Sequence, residues 1–161
     1  MIDFSFIKIV LYDFDDTLCI HEFHREDPNY NVKVLLKGKD TWNTGKPNKQ
    51  MKEFMELCFS KGIRQGLISA TSSFKHMKGK EDWVKENYDI SLENFCVCSA
   101  DAKVDMMLTI SEAYRLDPNQ ILIVDDFYDI LDKASSKGFQ ACTPMEVVNF
   151  IMERKDNVFN E

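Results

Sequence analysis

No apolar run in this 161-residue sequence approaches the roughly 18 residues that a membrane span needs. The opening stretch also lacks the basic start and small-residue cleavage site of a secretory signal. No membrane partner is therefore expected. Positive charge is scarce as well: 20 Lys and Arg stand against 27 Asp and Glu, giving a net charge of −7. Nucleic-acid affinity depends on neutralising phosphates with cations, so no nucleic-acid scaffold is expected to be a partner. Internal repeats and low-complexity tracts are lacking. Cysteine is sparse and odd in number, and Cys19, Cys58, Cys96, Cys98 and Cys142 fit neither a disulfide framework nor a zinc spacing. They read as reduced core or half-core residues, the Cys96-x-Cys98 pair included, which suits the cytoplasm.

What is present suffices for a packed core. Apolar residues make up 44% and charged residues 29%, proportions that argue against disorder. A chain of this length suits a single domain, here residues 1–161, and buries roughly two-thirds of its unfolded surface.

Strand and helix signals alternate, which predicts an α/β domain with a mostly parallel sheet. Residues 6–12 (FIKIVLY) read as a buried central strand running straight into Asp13. Residues 63–69, 94–98, 121–124 and 139–142 read as four further strands, and 121–124 (ILIV) is the most apolar. Helices are expected over 48–61, 81–88, 103–116 and 129–137, with Gly62 and Gly138 as stops. A last helix runs through Met152, with Thr143 as N-cap and Pro144 in its first turn. Residues 19–48 lack a clear period and contain Pro28, Gly38, Gly45 and Pro47, so they read as an irregular insertion with a short hairpin near 32–36.

The chemistry gathers where strands end. In an open parallel sheet the carboxyl ends of the strands line the ligand crevice. Asp13-Phe14-Asp15-Asp16-Thr17-Leu18 follows the first strand, and on an extended exit Asp13 and Asp15 can face the same crevice. Carboxylates that close repel unless a cation lies between them. Mg²⁺ is the expected one, because it is hard and prefers oxygen. Ser69 ends the second strand and can donate to a phosphate oxygen, with Thr71 as a competitor. Lys103 opens a helix after the third strand, where the helix dipole opposes its charge unless an anion sits nearby. Asp125 and Asp126 follow the fourth strand, one turn before Asp129.

Together these marks resemble the haloacid dehalogenase superfamily of phosphotransferases. Asp13 to Leu18 is similar to its D-x-D-x-T signature, Ser69 to its second motif, Lys103 to its third and Asp125-Asp126 to its fourth. The likeness runs from Phe6 to about Gln140. It implies a three-layer Rossmann-like sandwich with a central parallel sheet of about five strands and a small insertion after the first. It also implies a Mg²⁺-dependent phosphatase working through an aspartyl-phosphate. Asp13 would be the nucleophile and Asp15 the general acid, then base. Mg²⁺ would be held by Asp13, the Asp15 carbonyl and Asp126, with Asp125 as ligand or neighbour and Asp129 the weaker alternative. Ser69 and Lys103 would grip the phosphoryl oxygens, and Thr17 would steady the loop. The acid at Asp15 favours phosphate over halide, because a halide leaving group needs no proton.

Residues 19–50 then form a minimal cap or flap together with a helix, which tends to suit larger phosphorylated substrates. They carry six Lys and Arg against four acids, a slightly basic lobe. Tyr30 and Trp42 either stack on a substrate or pin the loop. His21 and His24 either contact the substrate or have no role, the latter being the plainer reading, and residues 72–80, with Lys75, His76, Lys78 and Lys80, offer a second rim. Rival readings are a phosphorelay receiver domain, a binding-only member of the fold, and a transferase whose acceptor is not water.

Overall fold

The structure, a computed structural model, describes residues 4–21 and 45–158, with side chains to residue 153. The expected hairpin, Tyr30, Trp42, His24 and most of the cap lie outside the described residues. Five strands form the central sheet: β1 (Ile9–Tyr12), β4 (Arg64–Leu67), β5 (Glu93–Asn94), β6 (Ile121–Val124) and β7 (Gln140–Cys142). Their order is β5-β4-β1-β6-β7 and every pairing is parallel. Two short strands, β2 (Cys19–Ile20) and β3 (Lys46–Pro47), pair antiparallel at the two ends of the insertion.

All four residues of β1 and of β6 are buried, as continuous Ile/Val/Leu runs require in a sheet covered on both faces. Alternation sorts them into two cores. Val10 and Tyr12 join the side chains of α1 (Lys49–Ser60), α2 (Phe74–Tyr88) and α5 (Pro144–Val158). Ile9 and Leu11 join those of α3 (Ala102–Tyr114) and α4 (Tyr128–Ser136) on the other face. The result is the expected α/β three-layer sandwich. Among the described residues no helix is long and apolar enough to cross a membrane.

Local chemistry sets the boundaries. Asn48 caps α1 by accepting from the Met51 amide. Thr143 and Glu146 form a reciprocal capping box at the start of α5, with Glu146 accepting from the Thr143 amide at 2.7 Å and Thr143 Oγ1 from the Glu146 amide at 3.2 Å. Three expectations need correction. The first strand is shorter than its apolar run: it starts at Ile9, and Phe6 is 60% exposed. The third strand keeps only Glu93–Asn94. Beyond it the chain follows β4 irregularly, through the Phe95 amide to Leu67 O and the Val97 amide to Ser69 O. The helix expected over 81–88 begins at Phe74, because Ser73 caps it by accepting from the His76 amide.

Gly66, in the middle of β4, has a packing reason. A Cβ built there would meet the Phe95 ring at 2.6 Å and Leu11 at 3.0 Å. Gly66→Ala is therefore expected to cost about 1–3 kcal/mol by overpacking, measured by urea unfolding. Phe95→Leu in the same chain should recover part of the loss; unchanged stability in Gly66→Ala would show that the ring does not constrain the strand.

Candidate active site

Three strand ends converge. Asp13 follows β1, and its amide extends the β1–β6 ladder to Val124 O at 2.9 Å. Ser69 stands two residues past β4, and Asp125 follows β6, its amide reaching Cys142 O at 3.2 Å. Asp13, Ser69 and Asp125 are each at most 1% exposed. The chain diverges from β1 to β4 on one side and to β6 on the other, so the site lies at the topological switch point.

Lys103 reaches over from the first turn of α3. Its ammonium lies 2.7 Å from Asp13 Oδ1 and 2.7 Å from Asp125 Oδ2. Burial disfavours its charge, yet the two carboxylates outweigh that and raise its pKa. Burial and the neighbouring Asp13 charge push the Asp125 carboxyl up, and Lys103 restrains the rise. The other Asp125 oxygen accepts from the Phe127 amide at 2.9 Å. Carboxylate oxygens of Asp13, Asp125 and Asp126 lie within 4.8 Å of one another, an all-oxygen donor set suited to a hard divalent cation. Asp129, the alternative, is exposed on α4 and outside this group.

After Asp13 the chain turns tightly. Asp16 adopts a left-handed φ of 54°, tolerable for an Asp. The amides of Leu18 and Cys19 both donate to Phe14 O. Thr17 is fully buried in this turn.

Two residues read as peripheral belong to the site. His21 Nε2 lies 2.8 Å from Asp15 Oδ1. Lys80, given above to an outer rim, is 1% exposed and donates to Asp15 Oδ2 at 2.6 Å and to Ser69 Oγ at 2.9 Å. Lys75 and Lys78 do face solvent, and Lys78 pairs with Glu81 and Asp82. Burial alone would push the Asp15 carboxyl up. The His21 hydrogen bond and the Lys80 charge outweigh burial and hold it well below the usual carboxylate range. Thr71 is turned to the β5 side, its amide donating to Val97 O at 2.8 Å. Cys98 is exposed rather than half-core. The receiver reading loses its acceptor, since the Asp101 side chain is 85% exposed and bound to Lys133 at 2.7 Å.

No protein-family model matches the chain, and no curated protein matches its sequence. Solved structures do match its fold. The N-terminal part of protein BF1531 from Bacteroides fragilis, which contains a phosphatase domain and is complexed with Mg, aligns at TM-score 0.59 and 15% identity over 87% of this chain. A HAD family enzyme from Bacteroides thetaiotaomicron, complexed with magnesium and inorganic phosphate, aligns at TM-score 0.56 and 18% identity over 85% of this chain and 93% of its own. The 3-deoxy-D-manno-octulosonate 8-phosphate phosphatase from Moraxella catarrhalis aligns at TM-score 0.53 and 14% identity over 81% of this chain. This chain spans 36% of the BF1531 fragment and 63% of the Moraxella enzyme. The three-layer α/β fold expected from the sequence is the fold this chain shares with these structures.

Lys103→Met should destabilise the metal-free protein by roughly 3–5 kcal/mol, because it removes the one buried ammonium that Asp13 and Asp125 share. Urea unfolding in EDTA measures this. A loss under 1 kcal/mol would mean that the ammonium does not hold the pair together.

Proposed function

We propose that this chain is a Mg²⁺-dependent phosphomonoester hydrolase that carries the phosphoryl group on Asp13. The observation that supports this most is the Lys103 ammonium bridging Asp13 and Asp125 beside Asp126, at the carboxyl edge of a sheet with this fold. The magnesium and phosphate bound by the Bacteroides enzyme of the same fold point the same way.

Asp13 attacks phosphorus through its carboxylate. A new P–O bond forms as the ester P–O bond breaks, and Asp15 gives the leaving oxygen its proton. Water then attacks phosphorus, Asp15 takes the water proton, and inorganic phosphate leaves with the Asp13 carboxylate restored. Asp15 thus needs both protonation states. His21 and Lys80 favour the ionised one, which suits the second step. An anionic phosphoryl group drawn in beside Asp15 disfavours its charge and suits the first. Ser69 and Lys103 hold the phosphoryl oxygens where charge develops. The Asp13 and Asp126 carboxylates and the Asp15 carbonyl would hold Mg²⁺, with Asp125 beside them, and the ion would neutralise phosphoryl charge.

p-Nitrophenyl phosphate should be hydrolysed with Mg²⁺ present and not with EDTA. Asp13→Asn should retain the fold and lower kcat below about one-thousandth of wild type. Full activity in that variant would remove Asp13 as nucleophile. Turnover that survives EDTA would remove the metal.

Binding can be read without turnover. Millimolar Mg²⁺ should raise the melting temperature of wild type, since a ligand held only by the native state stabilises it. Asp126→Asn should abolish most of that rise. An equal rise in both proteins would place the ion elsewhere.

A further inference from the structure

Lys80 is a buried cation whose contacts reach beyond the Asp15 charge it stabilises in the reaction outlined above. A lysine ammonium has three donors. Here they go to Asp15 Oδ2 at 2.6 Å, Ser69 Oγ at 2.9 Å and Ala70 O at 3.2 Å. With all three engaged, none is left for a phosphoryl oxygen. What Lys80 does is join two groups that must both meet the substrate. Because Ser69 Oγ accepts from Lys80, the hydroxyl proton is left to donate elsewhere.

The placement is built rather than incidental. Helix α2 is fastened to the loop after Asp13 at two points. The Trp83 ring meets the Phe14 ring edge-on, with centroids 5.3 Å apart. The Tyr88 hydroxyl donates to Leu18 O at 2.6 Å and accepts from the Asn48 amide at 2.9 Å. Lys80 lies one turn before Trp83, and its ammonium sits 5.0 Å from the Phe14 ring centroid.

We infer that Lys80 is a positioning residue of this site: it ties the Asp15 carboxylate to the Ser69 hydroxyl and so fixes the group that transfers the leaving-group proton. This rests on the phosphatase reading. A lysine suits the task, since a compact ammonium can serve three converging acceptors where a planar guanidinium cannot.

The experiment is a double-mutant cycle of Lys80→Met and Asp15→Asn. It compares kcat and KM for phenyl phosphate, a poor leaving group, and p-nitrophenyl phosphate, a good one, with melting temperatures alongside. Lys80→Met should lower kcat for phenyl phosphate about 100-fold and for p-nitrophenyl phosphate about tenfold, with KM little changed. In the Asp15→Asn background it should cost less than about fivefold, because the group it acts through is gone. Additive losses would overturn the inference. So would equal losses on both esters, the signature of a packing defect, or a raised KM with kcat intact, the signature of direct phosphate contact. If Lys80→Met does not fold, Lys80→Gln carries the same cycle. An inactive wild type that also fails to bind beryllofluoride with Mg²⁺ sinks the phosphatase reading, and this inference with it. An active wild type with additive losses sinks the inference alone.

Discussion

Three strands of one parallel sheet end in Asp13, Ser69 and Asp125, and the arrangement depends on how the acids among them are kept from repelling. Like charges about 4 Å apart at a partly buried site repel by roughly 4 kcal/mol. Lys103 answers this for Asp13 and Asp125, with one ammonium 2.7 Å from each. Asp15 has its own ammonium partner in Lys80, and Asp126 lies beside Asp13 and Asp125. The clustered oxygens of Asp13, Asp125 and Asp126 are donor atoms of the hard type that Mg²⁺ takes. The same charges set the protonation of the site: Asp125 is pushed up by burial and by Asp13, while Asp15 is held down by His21 and Lys80.

The fold delivers these groups by ordinary means. β1 lies at the centre of the sheet, so whatever follows Tyr12 emerges between the ends of β4 and β6. Apolar strands buried on both faces leave little freedom of register, because Val10 and Tyr12 serve one core and Ile9 and Leu11 the other. A slip by one residue would exchange the cores and turn Asp13 out of the crevice. Gly66 belongs to the same constraint, since only a residue without a side chain lets Phe95 close over β4.

This explains which parts of the site the sequence could reveal. Asp13, Ser69 and Asp125 were legible because position at a strand's carboxyl end is itself the signal. Lys103 was legible mainly through the motif resemblance, since a lysine at a helix start is otherwise unremarkable. Lys80 was missed because the helix was expected to start only at 81, which left Lys80 on the rim before it rather than on a buried helix face. A signal existed nonetheless. Lys80 stands three and four residues before Trp83 and Val84 and eight before Tyr88, so it continues the stripe those buried residues mark. A lysine on a buried stripe must find anionic or carbonyl partners, and the crevice supplies them. His21 offered no such clue, because its contact with Asp15 depends on the turn through Asp16 and on the Cys19–Ile20 pairing.

The two lysines also divide the work in space. Asp13 and Asp15 lie two residues apart, but each has its own cation. Lys103 comes from α3, in the layer packed on Ile9 and Leu11; Lys80 comes from α2, in the layer packed on Val10 and Tyr12. They share no acceptor among the bonds described. The charge beside Asp13 can therefore be set independently of the one beside Asp15. A single cation serving both carboxylates would couple them, so that protonating Asp15 would alter Asp13 as well. In the proposed reaction, separate cations would let Asp15 change protonation between the two halves while the Lys103 bridge stays in place.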